Sequence, residues 1–224
     1  MTGIICAMKL EAENIVASMT DIKTETRGGI EFNIGRLEDR EVVIAVCGVG
    51  KVFAAICAQT MILCYAPDEI INVGVAGSLS DSLGVFDLVV AGDLVQHDMD
   101  TSALGDPKGL ISGINIVNIP ADPAICEGLI AAISDCGLNG VRGRIATGDR
   151  FVDSDADRRA IADQFSAIAC EMEGGAVAQT CYAAGVKFAV LRAISDSGEG
   201  DYAKFAVRAA ENSARVVCRY VKNG

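Results

Sequence analysis

Three carboxylates stand where a sheet would hand them to a ligand: Glu11 in "AMKLE", Glu173 in "CEMEGG" and Asp196 in "RAISD". Each follows a short apolar run that reads as a strand, and in α/β sheets ligands gather outside the carboxyl ends of the strands. "VGVAGS" and "ATGDRF" close two further runs in the same way. A pair of carboxyls is what cleavage of a glycosidic or N-ribosidic bond requires. One protonates the leaving group, and the other activates water on the opposite face of the sugar. The acid must hold its proton near neutrality, so its surroundings must raise its pKa. Asp196 follows the apolar strand of "LRAISD", where desolvation is expected. Any one of the three could equally be a helix N-cap or a solvated loop acid; the case rests on their arriving together. Glu171, two residues before Glu173, points the opposite way if strand alternation holds through "CEME", which leaves it a structural part only.

The elements that must position these groups alternate along the chain. Strands are predicted over Gly3–Met8, Glu69–Gly77, Val85–His97, Val141–Asp149, Ala167–Glu173 and Lys187–Asp196. "EFNIGRLEDREVVIAVCG" holds two apolar runs joined by polar residues and reads as an antiparallel hairpin. Helices are predicted over Glu11–Met19, Gly50–Ala66, Ala121–Gly137, Gly174–Gly185 and Tyr202–Tyr220. The third opens with Asp122 and Pro123 and closes at Gly137, a sound start and stop. Strands alternating with helices imply one α/β domain over residues 1–224, its central sheet largely parallel and covered by helices.

Composition narrows the partners. With 19 basic and 30 acidic residues the net charge is -11, which argues against a nucleic-acid groove. The longest nonpolar stretch, "FAAICAQTMILCYA", is interrupted by Gln59 and Thr60 and reads as a buried helix, so no membrane span is expected. No signal peptide is expected at the N-terminus. The nine cysteines lie mostly in apolar runs and form no CxxC pair, which reads as free thiols in a reducing cytoplasm. The single histidine, His97, sits in a polar, turn-rich segment suited to a loop or subunit contact. No clustered ligands for a structural metal are seen. "VCGVGKVFAA" resembles a glycine-rich nucleotide loop, but Phe53 stands where the third small residue belongs and no GK[ST] follows. Glycines easing a strand-to-helix turn are the preferred reading.

In order, "GIICAMKLEAE", "GVGKV", "INVGVAGSL", "HDMDTSALG", "TGDRFV", "CEMEGGAVA" and "RAISD" resemble the blocks of the bacterial 5'-methylthioadenosine/S-adenosylhomocysteine nucleosidases, within the nucleoside phosphorylase/hydrolase superfamily. The resemblance runs from Gly3 to the final helix. It implies a three-layer α/β/α sandwich around a mixed, barrel-like sheet, a homodimer, and no cofactor. It also implies hydrolysis of small-molecule 5'-thioadenosine nucleosides, 5'-deoxyadenosine included, to adenine and the ribose, in methionine salvage and removal of the methyl-cycle product. By motif, Asp196 would be the general acid on adenine N7, and Glu11 would position the water with Arg192 nearby. Glu173 would accept the ribose hydroxyls, with Met172 packed on the sugar. Phe151 would stack on adenine and the Val152 backbone would read its edge. Met8, Val49, Ala76 and Gly77 would line the cleft. Tyr202 would flank the thio substituent, with Thr101 and Leu104 reaching across from the partner subunit. Two departures stand out: Val75 replaces a serine found in some members, and "SGEGDY" after Asp196 is a shortened loop.

Alternatives remain open at this level. A phosphorylase of the same superfamily needs cations for phosphate, and only Lys51 and Arg192 lie near. A hydrolase of futalosine or of another 5'-substituted nucleoside would differ mainly in the loop after Asp196. A non-catalytic nucleoside sensor would be expected to lose one of the three carboxylates.

Overall fold

A computed structural model describes residues 1–196 and 201–223. Ten strands and six helices follow one another as β1 Thr2–Cys6, α1 Lys9–Ala17, β2 Thr20–Arg27, β3 Ile30–Leu37, β4 Arg40–Val46, α2 Lys51–Tyr65, β5 Glu69–Ser78, β6 Leu88–Gln96, β7 Ile119–Pro120, α3 Pro123–Asp135, β8 Gly140–Thr147, α4 Asp155–Phe165, β9 Ala169–Glu171, α5 Gly174–Ala184, β10 Lys187–Asp196 and α6 Asp201–Asn223. The strands join in the order β10-β6-β8-β9-β5-β1-β4-β3-β2, and β10 also pairs with β5. That extra pairing closes five strands into a barrel, from which β1, β4, β3 and β2 extend. Helices α1, α3 and α6 pack together, as do α2 and α5, giving the α/β/α layers around a mixed sheet. Among the described residues no helix is long and apolar enough to cross a membrane.

Local chemistry explains most element ends. Asp122 caps α3, its carboxylate accepting the amides of Ala124 and Ile125, with Pro123 at the first helical position, where its missing N–H costs nothing. Gly48 and Gly50 hold φ of 97° and 100° between β4 and α2, a conformation that favours glycine; the loop is a strand-to-helix turn. Strands β5 and β10 are buried along almost their whole length, as near-continuous apolar runs in a covered sheet should be. The hairpin expected after Glu31 is present as β3 and β4.

Two elements escape the apolar pattern. Strand β2, "TDIKTETR", is exposed along nearly all its residues; it is held by pairing with β3, not by burial. Helix α4, "DADRRAIADQF", is polar on most faces. Ser154 caps it by accepting the Asp157 amide, two aspartates occupy its first turn, and only Arg158, Ile161 and Phe165 are buried. Acidic residues in a first turn suit the positive end of the helix dipole. The strand expected over Ala167–Glu173 stops at Glu171. Cys170 pairs with Gly77 of β5 and Glu171 with Thr147 of β8, after which the chain turns directly into α5.

Candidate active site

The cleft lies at the carboxyl ends of β1, β5, β8, β9 and β10, and encloses about 700 Å³ counted to its open mouth. Met8, Glu11, Val49, Ala76, Gly77, Phe151, Val152, Met172, Glu173, Asp196 and Tyr202 line it together. Ala7, Val75, Arg150, Cys170, Glu171 and Ser195 join them, and none of these six is singled out by residue type and spacing. Arg192 lies behind this lining, 1% exposed.

Glu11 is fixed from three sides. Strand β1 delivers Ala7 and Met8, whose amides both donate to Oε2 at 2.9 Å, and β5 delivers Val75, whose amide donates to Oε1 at 3.1 Å. Burial pushes its pKa up, against the opposing pull of Arg192 and these three amides. Gly74 makes the approach possible: a Cβ there would lie 2.5 Å from Glu11 Oε1 and 2.7 Å from Arg192 Nη1. The valine at position 75 contributes its backbone, so loss of a serine hydroxyl leaves this contact intact.

Glu171 and Glu173 do not face opposite ways. The strand ends at Glu171 and Glu173 is already the N-cap residue of α5, at φ -130° and ψ -39°, so alternation stops between them. Both carboxylates meet the same guanidinium. Arg192 Nη2 is paired closely with Glu171 Oε2, donates to Asn72 Oδ1 at 2.6 Å, and stands 3.6 Å from Glu173 Oε2. Glu171 also accepts the Thr147 hydroxyl and the amides of Glu173 and Gly174. Burial works to raise its pKa, but Arg192 and these donors hold it below the ordinary glutamate value. Glu173 is raised to about 7, first by burial and then by the charge of Glu171. Among the described residues the one hydrogen-bond partner of its carboxylate is the Gly50 amide at the start of α2, donating to Oε1 at 2.8 Å.

Asp196 ends β10 beside a bulge, where the register with β5 shifts by one residue at Ser195. The Ser195 hydroxyl donates to Oδ1 at 2.7 Å, with the Ala76 carbonyl as its alternative acceptor at 3.3 Å. Arg158 of α4 pairs with Oδ2 at 2.5 Å and donates to the Ser78 carbonyl at 3.1 Å. The apolar surroundings expected of Asp196 therefore include a buried positive partner. Arg158 was hidden in the sequence because its helix was; the only cue is an arginine inside a polar segment. At the mouth, Phe151 meets Tyr202 edge to face at 5.5 Å, and the Tyr202 hydroxyl lies 3.4 Å from the Met8 sulfur.

Thr101 precedes and Leu104 ends a short 3-10 turn at Ser102–Leu104, and neither lines this cleft; Leu104 is 83% exposed. His97 also lies outside it, half buried, with Nε2 lacking a partner among the described residues. Of the shortened segment "SGEGDY" after Asp196, residues 197–200 fall outside the described residues.

The sequence model of the phosphorylase superfamily matches residues 2–222. The chain belongs to that superfamily. It is 37% identical to a 5'-methylthioadenosine/S-adenosylhomocysteine nucleosidase of Shewanella loihica, covering 99% of this chain and 98% of the relative. The nucleosidase of Neisseria meningitidis, solved with methylthio-immucillin-A, superposes with a TM-score of 0.96 at 33% identity, covering 100% and 99% of the two chains. A futalosine hydrolase of Helicobacter pylori superposes with a TM-score of 0.95 at 32% identity, covering 100% and 97%. Within the superfamily, then, members named for different nucleosides share this backbone closely.

Proposed function

We propose that the protein hydrolyses the N-ribosidic bond of 5'-methylthioadenosine and S-adenosylhomocysteine, and of 5'-deoxyadenosine, releasing adenine. The observation that carries this reading is the meeting of three buried carboxylates, Glu11, Glu173 and Asp196, in one cleft open to the surface. Phe151 stacks on the base, and Asp196 gives its proton to adenine N7. Oδ1 is the oxygen suited to this, because the Ser195 hydroxyl can turn to the Ala76 carbonyl while Arg158 keeps Oδ2. Glu173 accepts the ribose hydroxyls beside Met172, and its negative charge favours the oxocarbenium-like state. Glu11, aimed by three amides, positions the attacking water. The activity belongs to methionine salvage and clearance of the methyl-transfer product, in a reducing cytoplasm that suits nine free thiols.

Phosphorolysis is disfavoured because the cations around the cleft are already engaged. Arg192 pairs with Glu171, Arg158 with Asp196, Arg150 with Asp157 and Lys51 with Asp98. Adenine release should run at full rate in phosphate-free buffer and yield free methylthioribose. A strict phosphate requirement, with a ribose 1-phosphate product, would replace the hydrolase reading. Futalosine belongs in the same assay, since the backbone does not separate the two hydrolases.

We also propose a homodimer through α2. Val52, Phe53, Ile56 and Leu63 leave an exposed apolar stripe along that helix, Val52 at 67% and Leu63 at 75%, larger than scattered surface apolar residues require. Thr101 and Leu104 would then reach the partner's cleft beside its Tyr202. Replacing Val52 and Leu63 together by aspartate should convert a dimer to a monomer in sedimentation velocity and raise KM for the thio substrates. A wild-type protein that sediments as a monomer would refute this assembly.

A further inference from the structure

Three buried glutamates meet one arginine at the base of the cleft, and the reading above gives a role in the reaction to Glu11 and Glu173 only. Glu171 is buried beside them. We propose that Glu171 is a positioning residue for the reaction: by engaging Arg192 and the first amides of α5, it withholds the guanidinium from Glu173 and so sets how strongly Glu173 accepts the ribose hydroxyls. This rests on Glu173 being the ribose carboxylate.

Arg192 Nη2, the guanidinium nitrogen that faces Glu173, carries two protons, and Asn72 Oδ1 and Glu171 Oε2 take them, while Nε has no partner among the described residues. Glu173 Oε2, at 3.6 Å, is left with attraction at a distance and no hydrogen bond from that nitrogen. Glu171 collects, in addition, the Thr147 hydroxyl and two backbone amides, whereas Glu173 has the Gly50 amide. Two carboxylates beside one guanidinium cannot both be held equally well. The one with more hydrogen-bond donors keeps its charge, and the other becomes the site where a proton is gained or lost.

The other charged and titratable groups around Glu173 are few. Glu11 faces it from α1 and raises its pKa further, and Arg192 from β10 lowers it. Cys47, beyond β4, and Tyr202 of α6 feel the Glu173 charge; burial pushes both up, so they stay neutral through the range that matters. The sign follows. Above about pH 7 Glu173 is a carboxylate and accepts the sugar hydroxyls, and as pH falls through that value it is protonated and the acceptor is lost. In Glu171→Gln the like charge is gone and Arg192 is free to turn to Glu173, so the loss moves to lower pH by about one unit or more.

The test separates the sugar from the base. Affinity for 5'-methylthiotubercidin, a nucleoside lacking N7, and for its free base 7-deazaadenine is measured by calorimetry between pH 5.5 and 8.5. The ratio of the two isolates the ribose contacts. In the wild type the ratio should fall about tenfold per pH unit below 7, and in Glu171→Gln it should stay level through pH 6. An unmoved curve in the variant overturns the proposal. Carboxyl NMR of the wild type labelled with 13C-glutamate serves if the variant fails to fold: Glu173 should titrate between pH 6 and 8 while Glu171 stays ionised, and titration of Glu171 in that range is equally fatal. Glu173→Gln marks the other failure: an unchanged ratio in that variant removes the ribose reading itself, whatever Glu171 does.

Discussion

Asp196→Asn should abolish adenine release from methylthioadenosine, lowering kcat by about 10³-fold or more while the protein remains folded at room temperature. General acid catalysis contributes about 10²–10⁴-fold, and adenine is a poor leaving group until N7 is protonated. An amide keeps the shape of the carboxyl and an oxygen for Arg158, but has no proton to give. The substitution also leaves Arg158 without its buried counter-charge, and breaking such a pair costs about 3–5 kcal/mol. Here the Ser78 carbonyl still accepts from the guanidinium at 3.1 Å, so Tm should fall by several degrees without loss of fold. Stopped assays for adenine, with circular dichroism and adenine binding on the same preparation, check both halves. Turnover near the wild-type rate in a folded variant would overturn the acid assignment.

Glu11→Gln has the second largest effect expected. Both oxygens of Glu11 are acceptors for backbone amides, two on Oε2 and one on Oε1. A carboxamide offers one oxygen and one NH2 group, so whichever way it is turned a donor faces a donor. That leaves at least one buried amide without an acceptor, at about 1–3 kcal/mol, and rotates the side chain from its water. We expect kcat to fall by about 10²-fold or more with KM little changed, because the groups proposed to hold base and ribose are elsewhere. Glu11→Asp, which keeps the charge on a shorter stem, should recover little, since three fixed amides specify where the oxygens must be. Initial rates over a range of substrate concentrations decide this. A large rise in KM at unchanged kcat would move Glu11 from water positioning to substrate binding.

How much of this was legible in the chain depends on how each residue is held. Strands β5 and β10 announce themselves as apolar runs, and the polar residues at their ends fall in the cleft as strand-end logic requires. Asp122 and Pro123 announce α3. Helix α4 gives no such sign, because it buries only three side chains and draws support from its cap and its acidic first turn. Arg158 went unseen with it, and so did the charged partner of Asp196. Glu171 was misjudged for a different reason. Alternation describes a strand only while the strand lasts, and β9 is three residues long. It lasts only as far as its pairing with β5 and β8, far away in sequence, which no local pattern encodes. The role of Gly74 is hidden likewise: a Cβ there would lie 2.5 Å from Glu11 Oε1, a proximity created by folding.

Helix α2 begins at the amide that holds Glu173 and carries the apolar stripe on its outer side. A single helix thus joins the proposed sugar pocket to the surface where two copies are proposed to meet. Binding equilibria joined through one body obey linkage: whatever factor association adds to nucleoside affinity, nucleoside adds to association. Ligand occupancy and assembly would then be two readings of the same free-energy difference, with the position of Gly50 as their common coordinate.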